Sequence, residues 1–449
     1  MNILYAMIYA PEKGGSGAPI YTHNLMKGVI ERGDQAGIVF SVHPSYIPSN
    51  NLPYRLHPLF FNHPPIFDDQ PKATQSIPFK KMTRIEVSEY ISEFYLAFEK
   101  LTQVDTYELI HVQHGMYIGY AAALIKEKYG VPYFISLHAM EINFLEEFPD
   151  PILAMKAMTD ADKILALSDA QKKRLLEEYT KDRIIALDMK QKGCSRIESE
   201  LRYLAHIGNR NINPDQIGVF PLGIDRNHYD IRHCQYPQEL QILADNRNAK
   251  FVMFAGRLIE MKGIKNLLEA EKIYNRSNDV STILIGGGEL EDYVKKIASQ
   301  RQHVHFLGFK EQKEMPLYLN FIAEHNGVFT VPSSSEGMSL VYLEAMACGA
   351  RVLASCKKDM AEMDFMQAPY AEFTEFGNMQ ELADTITVML SEKPLSRVQI
   401  RSNMLKYNLA DFRERVWRLY CLFERLKIHT ENKNLPFTYN TSYGYEATI

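Results

Sequence analysis

Cysteine is scarce in this chain. There are five in 449 residues, Cys194, Cys234, Cys348, Cys356 and Cys421, scattered and never spaced as C-x-x-C. That excludes a disulfide framework and fits a reduced, cytosolic compartment. Excess positive charge is also missing: 50 Lys and Arg against 55 Asp and Glu leave a net charge of −5 and a pI near 6.3. A broad nucleic-acid footprint is therefore not expected. No run of about 18 apolar residues occurs, so no segment is expected to span a bilayer. The opening MNILYAMIY has a short apolar run with no basic residue ahead of it, which predicts a buried strand rather than a secretory leader. Internal repeats and low-complexity tracts are absent, and tryptophan occurs once, at Trp417.

What is present is a soluble, globular composition, 46% hydrophobic and 23% charged. The length suits two domains of about 200 residues each. Apolar runs followed by polar turns and amphipathic stretches recur, the pattern of parallel strands buried on both faces. The first series predicts strands at 3–9, 37–42, 109–113, 132–137, 163–167 and 218–221. Helices are predicted at 20–32 (closed by Gly33), 85–101, 118–128 and 169–179. Residues 43–80 read as a long loop or short hairpin, and 180–215 as an elaborated loop and helix. A second series begins at Lys250, with strands near 251–255, 281–286, 303–307, 327–331 and 351–355. Its helices fall near 263–275, 289–300, 312–324, 340–348 and 378–391. An amphipathic helix, 411–427, and a polar tail, 428–449, close the chain. The expected fold class is α/β: two Rossmann-like domains joined near 222–248 and facing across a cleft, with ligands at the carboxyl ends of the strands.

The densest chemistry lies in Pro332–Gly349, PSSSEGMSLVYLEAMACG, directly after the apolar run 327–331. A strand feeding a helix presents first-turn N–H groups to an anion, and Glu336 and Glu344 add acceptors for hydroxyl protons. Arg257 and Lys262 follow the strand at 251–255 with Gly256 and Gly263 beside them. Arg offers a fork for phosphate oxygens and Lys a point charge. Gly14, Gly15 and Gly17 allow close backbone approach. That loop is not G-x-G-x-x-G, so no dinucleotide cofactor is read from it.

These stretches resemble retaining glycosyltransferases of family 4, group 1 glycosyl transferases with the GT-B fold. Glu336 and Glu344 stand as the family's Glu-x7-Glu pair. FVMFAGRLIEMKG (251–263), TILIGGG (282–288), PLGID (221–225) and GGSG (14–17) are similar to its other signatures. The resemblance implies an N-terminal acceptor-binding domain, 1–225, with helix 411–427 crossing back onto it, and a C-terminal nucleotide-sugar donor domain, 226–410. It implies Arg257 and Lys262 on the diphosphate, Glu336 on the transferred sugar and Glu344 on the ribose. Backbone at Gly337, Met338, Ser339 and Leu340 would lie near sugar and diphosphate, and Gly15 and Gly17 would close over the donor. His138 would line the reacting sugar, and His114 and Glu141 are acceptor-side candidates, Glu141 serving either there or as a helix cap. Where the family often has Gly-Phe-Gly this chain has Gly337-Met338-Ser339, and Ser339 can cap the helix itself.

Other signals carry less. Asp160-Ala161-Asp162 precedes a strand, whereas a metal-binding Asp-x-Asp follows one, so no metal is assigned. His303 and His305 alternate along a strand. Gly286–Gly288 reads as a strand–helix turn near the nucleotide base. Basic clusters at Lys80–Arg84 and Gln171–Arg174 suggest at most weak peripheral membrane contact. The resulting expectation is a metal-independent, cofactor-free, cytoplasmic glycosyltransferase using a nucleotide sugar, most simply UDP-linked. Its acceptor would be a saccharide, a lipid-linked saccharide or a small molecule held by loops 43–80 and 180–215. A phosphorylase or synthase on the same fold, or a catalytically silent sugar-nucleotide binder, are the alternatives.

Overall fold

A computed structural model describes residues 1–8, 17–46, 52–62, 65–66, 77–78, 81–104, 106–138, 140–229, 235–244, 250–276, 280–334, 339–355, 366, 369–393 and 395–431. The first lobe holds strands β1 (Asn2–Met7), β2 (Gln35–Val42), β3 (Arg55–Phe60), β4 (Pro65–Ile66), β5 (Ile77–Pro78), β6 (Leu109–Gln113), β7 (Tyr133–Ser136), β8 (Lys163–Ala166) and β9 (Ile217–Val219). Seven of them form one sheet in the order β3-β2-β1-β6-β7-β8-β9, every pair parallel. The apolar runs Ile3–Met7, Leu109–Val112 and Tyr133–Ile135 are buried, as a sheet covered on both faces requires. Covering helices include α1 (Gly17–Ile30), α2 (Arg84–Val104), α3 (Tyr117–Tyr129), α4 (Met140–Asn143), α5 (Pro151–Asp160), α6 (Asp169–Glu178), α7 (Lys181–Lys192) and α8 (Arg196–Ile207).

Short helices α9 (Arg226–Tyr229) and α10 (Gln238–Ala244) lead into the second lobe. Its strands are β10 (Lys250–Ala255), β11 (Val280–Ile285), β12 (Val304–Phe306), β13 (Val328–Val331), β14 (Arg351–Ala354) and β15 (Ala371–Phe373). They form a second parallel sheet, β12-β11-β10-β13-β14-β15. Helices α11 (Ile264–Tyr274), α12 (Glu291–Gln300), α13 (Met315–Glu324) and α14 (Leu340–Cys348) alternate with the strands. α14 is apolar on nearly all sides, and Tyr342 through Cys348 are all buried, so it is a core helix rather than an amphipathic cover.

The chain passes between lobes at two places, and these lie side by side. Ile224 N–H donates to Tyr407 O at 2.9 Å and Leu409 N–H to Ile224 O at 2.9 Å. From there the C-terminal helix, Leu409–Glu431, returns to α1. Ion pairs Arg32–Glu414 (2.8 Å) and Arg413–Glu31 (3.2 Å) rim the contact, each worth at most about 1 kcal/mol at a surface. Buried Phe412, Val416 and Tyr420 contribute more, about 1.5–3 kcal/mol for an apolar side chain of this kind.

Several stretches depart from the sequence expectation. Residues 43–80 supply β3 as the outermost strand rather than only a loop or hairpin, and the two-residue pair β4–β5 is parallel. Pro58 stands opposite Phe40 within β3, and an edge strand tolerates its missing N–H. Residues 180–215 carry two helices: α7 ends on Gly193 in the left-handed conformation, and α8 starts with a reciprocal Ser195–Glu198 capping box. β15 and α5 had no counterpart in the expected elements, and the C-terminal helix extends to Glu431, so only residues 432–449 of the polar tail remain, outside the described residues.

Candidate functional site

On the second lobe the turn after β10 is fastened on two sides. Gly256 N–H donates to Ile285 O (3.0 Å) and Leu258 N–H to Gly287 O (2.9 Å), which ties it to the glycine turn after β11. Further along, Ser334 N–H donates to Met261 O at 2.9 Å, tying it to the end of β13. Gly263 has φ +69°, and a Cβ there would lie 1.9 Å from the Pro332 carbonyl oxygen; only glycine lets the two segments meet. Arg257 and Lys262, both half-buried, thus belong to one rigid turn at the carboxyl end of the sheet.

Glu344 lies in α14, the helix that follows β13, and is 6% exposed. Gln312 spans two groups with its amide, donating to Glu344 Oε1 (2.6 Å) and to Tyr229 Oη (2.7 Å). Burial pushes the Glu344 carboxyl up to about 7, with hydrogen bonds from Tyr229 and Gln312 opposing the rise. The Tyr229 hydroxyl is raised in turn by burial and by the neighbouring carboxylate. Leu340 and Ser339 open α14. Ser339 occupies the N-cap position but its side chain makes no capping hydrogen bond, so the helix start is not satisfied by it as the sequence suggested. Glu336, Gly337 and Met338 lie outside the described residues, as does Gly15; Gly17 is the first residue of α1.

On the first lobe, the ends of the paired strands β6 and β7 lie side by side. His114 has φ +83°, an uncommon backbone for a residue with a Cβ and a form of strain that clusters at functional sites. Its ring stands 4.8 Å from that of His138, tilted by 34°. Glu141, fully buried, accepts from Gly115 N–H (3.2 Å) and from His138 N–H (3.0 Å), so one carboxylate joins both strand ends. Burial pushes this carboxyl up to about 7 as well, against the pull of those backbone donors. His138 is half-buried. Its Nε2 lies 3.0 Å from Gln113 Oε1, and the ring of Tyr21 meets it edge-on at 5.2 Å. Burial, then the nearby His114 and His111, hold its pKa well below the usual range, so the ring is neutral.

Beneath this cluster runs a buried polar chain. Tyr21 Oη is 2.9 Å from Ser136 Oγ, Ser136 Oγ is 2.9 Å from His111 Nε2, and His111 Nδ1 is 2.5 Å from Tyr420 Oη. Sequence reasoning did not single out Gln113, Tyr229, Gln312, His111 or Tyr21. Only Gln113 carried a signal, as the neighbour of His114 at a strand end.

The set-aside motifs have local work. Asp162 accepts from Lys126 Nζ (2.8 Å) and Tyr133 N–H (3.0 Å), and Asp160 pairs with Lys156 (2.8 Å). Lys172 donates to Ile217 O and Arg174 to Asn143 Oδ1, so part of that basic cluster is engaged with its own lobe. Among the described residues no helix is long and apolar enough to cross a membrane. Between the lobes lies a cavity of about 860 Å³, lined among others by Phe144, Glu147 and Arg174 on one side and Met261, Ser334 and Phe376 on the other.

Residues 236–407 match the profile of the family described as glycosyl transferases group 1. Over 270 residues the chain is 26% identical to an uncharacterized glycosyltransferase of Methanocaldococcus jannaschii, covering 58% of this chain and 60% of that protein. The chain thus spans three-fifths of that relative's length. Among solved structures, sucrose-phosphate synthase from Thermosynechococcus elongatus superposes with a TM-score of 0.66 at 16% identity, covering 95% of this chain and 99% of that one. HepE of Anabaena, solved with UDP and glucose, gives 0.60 at 17% identity, covering 93% and 99%. Two parallel-sheet α/β lobes in this arrangement are the GT-B fold.

Proposed function

We propose that this chain, a glycosyltransferase by its group 1 domain and GT-B scaffold, moves a sugar from a nucleotide diphosphate to a hydroxyl acceptor with retention at the anomeric carbon. The observation that carries the reading is the Arg257–Gly263 turn, clamped between the glycine turn of β11 and the end of β13. Positive charge held in place before the reaction needs no reorganisation as the diphosphate leaves. Arg257 and Lys262 supply that charge, and no divalent ion is given a role. Glu344 accepts a ribose hydroxyl, Glu336 the hydroxyls of the transferred sugar, and His138 lines the sugar from the first lobe, where the acceptor binds. The bond from the anomeric carbon to the diphosphate oxygen breaks, and the bond to the acceptor oxygen forms on the same face. The acceptor's proton passes to the departing diphosphate. UDP is favoured as the nucleotide because HepE binds it on a similar scaffold. A cytoplasmic location agrees with the scarce cysteine.

The test is a thermal-shift panel of UDP-, GDP- and ADP-sugars, followed by mass-spectrometric acceptor screening with the best donor. The expected result is stabilisation by one nucleotide class and a glycosylated product that appears only when that donor is present. Product formed from inorganic phosphate without a nucleotide sugar would favour the phosphorylase reading. Donor binding with no transfer to any acceptor would favour the silent binder.

A further inference from the structure

The geometry points to Gln113 as a positioning residue that fixes which nitrogen of His138 carries the proton, so that His138 meets its ligand as a hydrogen-bond acceptor for a hydroxyl. This rests on the sugar-contact role proposed for His138. Gln113 is the last residue of β6 and fully buried. Its amide oxygen lies 3.0 Å from His138 Nε2, and as an acceptor it requires Nε2–H. A neutral imidazole protonated there carries its lone pair on Nδ1. A hydroxyl can donate to that lone pair; an ionised phosphate or carboxylate oxygen cannot. The ring has little freedom to turn away. His114 covers one face, Tyr21 meets an edge, and the backbone N–H is held by Glu141. Those residues, with His111 beneath, are the titratable groups surrounding it.

A second observation separates this role from a structural one. Gln113 Nε2 is buried and has no hydrogen-bond partner among the described residues. An orphaned amide donor works against stability, and an apolar side chain of similar shape would remove that cost. Packing therefore does not account for an amide at this position, whereas its bond to His138 does.

The experiment uses full-length protein labelled with 15N in the histidine rings, the His138 signals being identified by their absence in His138→Ala. In the wild type, Nε2 is expected to be protonated and Nδ1 unprotonated from pH 6 to 8. In Gln113→Leu, and in Gln113→Met should the first variant fold poorly, the two tautomers are expected to mix. Turnover with the best nucleotide sugar is expected to fall about tenfold, the worth of one hydrogen bond near the upper end of the usual range, with little change in melting temperature, because the orphaned Gln113 amide is removed together with the partner of the half-buried His138 ring. An unchanged tautomer in folded variants would overturn the proposal whether or not the enzyme turns over. Mixed tautomers with wild-type turnover would leave Gln113 setting the ring but remove His138 from the sugar site, which is a failure of the functional reading instead.

Discussion

His111 Nδ1 in the middle of β6 lies 2.5 Å from the hydroxyl of Tyr420 on the C-terminal helix, 309 residues later in the chain. Both side chains are buried, and burial pushes the imidazole down to about 3, so the ring is neutral. One nitrogen then donates and the other accepts, with Tyr420 and Ser136 as the two partners. Tyr420→Phe leaves the ring nitrogen facing Tyr420 without a partner in a dry core, at a cost of about 1–3 kcal/mol. The expected outcome is a lower urea midpoint with an unchanged slope. Tyr5→Phe removes only the 3.2 Å contact to Tyr420 and should cost less. Equal, near-zero effects would mean that apolar contacts alone dock the C-terminal helix.

Two glycines with similar backbones separate strain from space. Gly377 has φ +86° with nothing within 4 Å of a built Cβ, while Gly263 has φ +69° with the Pro332 carbonyl oxygen 1.9 Å away. Gly377→Ala should cost only the left-handed penalty, about 1–2 kcal/mol. Gly263→Ala must in addition push the cationic turn off the end of β13, so it should lose more stability and also weaken nucleotide-sugar binding. Calorimetric melting and a donor titration on both variants check this. Matched losses would show that the clamp yields without consequence.

The alternating βα pattern was legible because a parallel sheet buried on both faces writes continuous apolar runs into the chain. Leu109–Gln113 and the α14 span 340–348 matched the sequence boundaries. What was not legible lacked such runs. β3 carries a proline and is half-exposed at a sheet edge, and β15 has three residues, too few to show a period. In the site, the turns bearing Arg257, Lys262 and His138 could be read because glycines and strand ends mark them. Tyr229 and Gln312 could not: they reach Glu344 from other elements, 115 and 32 positions away by residue number. His111 looked like a strand residue because its partner, Tyr420, is distant in sequence.

The two buried carboxyls make stability depend on pH in a defined direction. Glu141 and Glu344 are both raised from 4.5 to about 7. Between those values the folded chain binds more protons than the unfolded one. Their contribution is therefore fully present below pH 4.5 and is lost as the pH rises through 7. Buried His111 and His138 act oppositely, because their lowered pKa values add stability above about 6.5 that is lost on acidification. The wild-type curve mixes the two effects, so the difference from a variant is the useful quantity. Relative to the wild type, Glu141→Gln/Glu344→Gln should gain stability as the pH goes from 5 to 8, by a few kcal/mol at most for shifts of this size. Urea unfolding at both pH values measures it. Parallel curves for the two proteins would mean that neither carboxyl is raised.

The kind of positive charge at the proposed diphosphate site is open to test by substitution. Arg257 and Lys262 share one fastened turn, yet their chemistry differs: a guanidinium can hold two phosphate oxygens at once, an ammonium one point at a time. If the diphosphate is gripped by the fork, Arg257→Lys keeps the net charge but loses the bidentate grip and should lower kcat/KM about 10²-fold, the scale of one preorganised donor. Lys262→Arg should be milder, since a fork can supply a point charge. Arg257→Ala should lose a further factor while circular dichroism and melting temperature stay close to wild type, because backbone bonds fasten the turn at both ends. Near-normal turnover by folded Arg257→Ala would remove Arg257 from the diphosphate site. Strict dependence of wild-type turnover on an added divalent ion would move the leaving-group charge from these side chains to the metal.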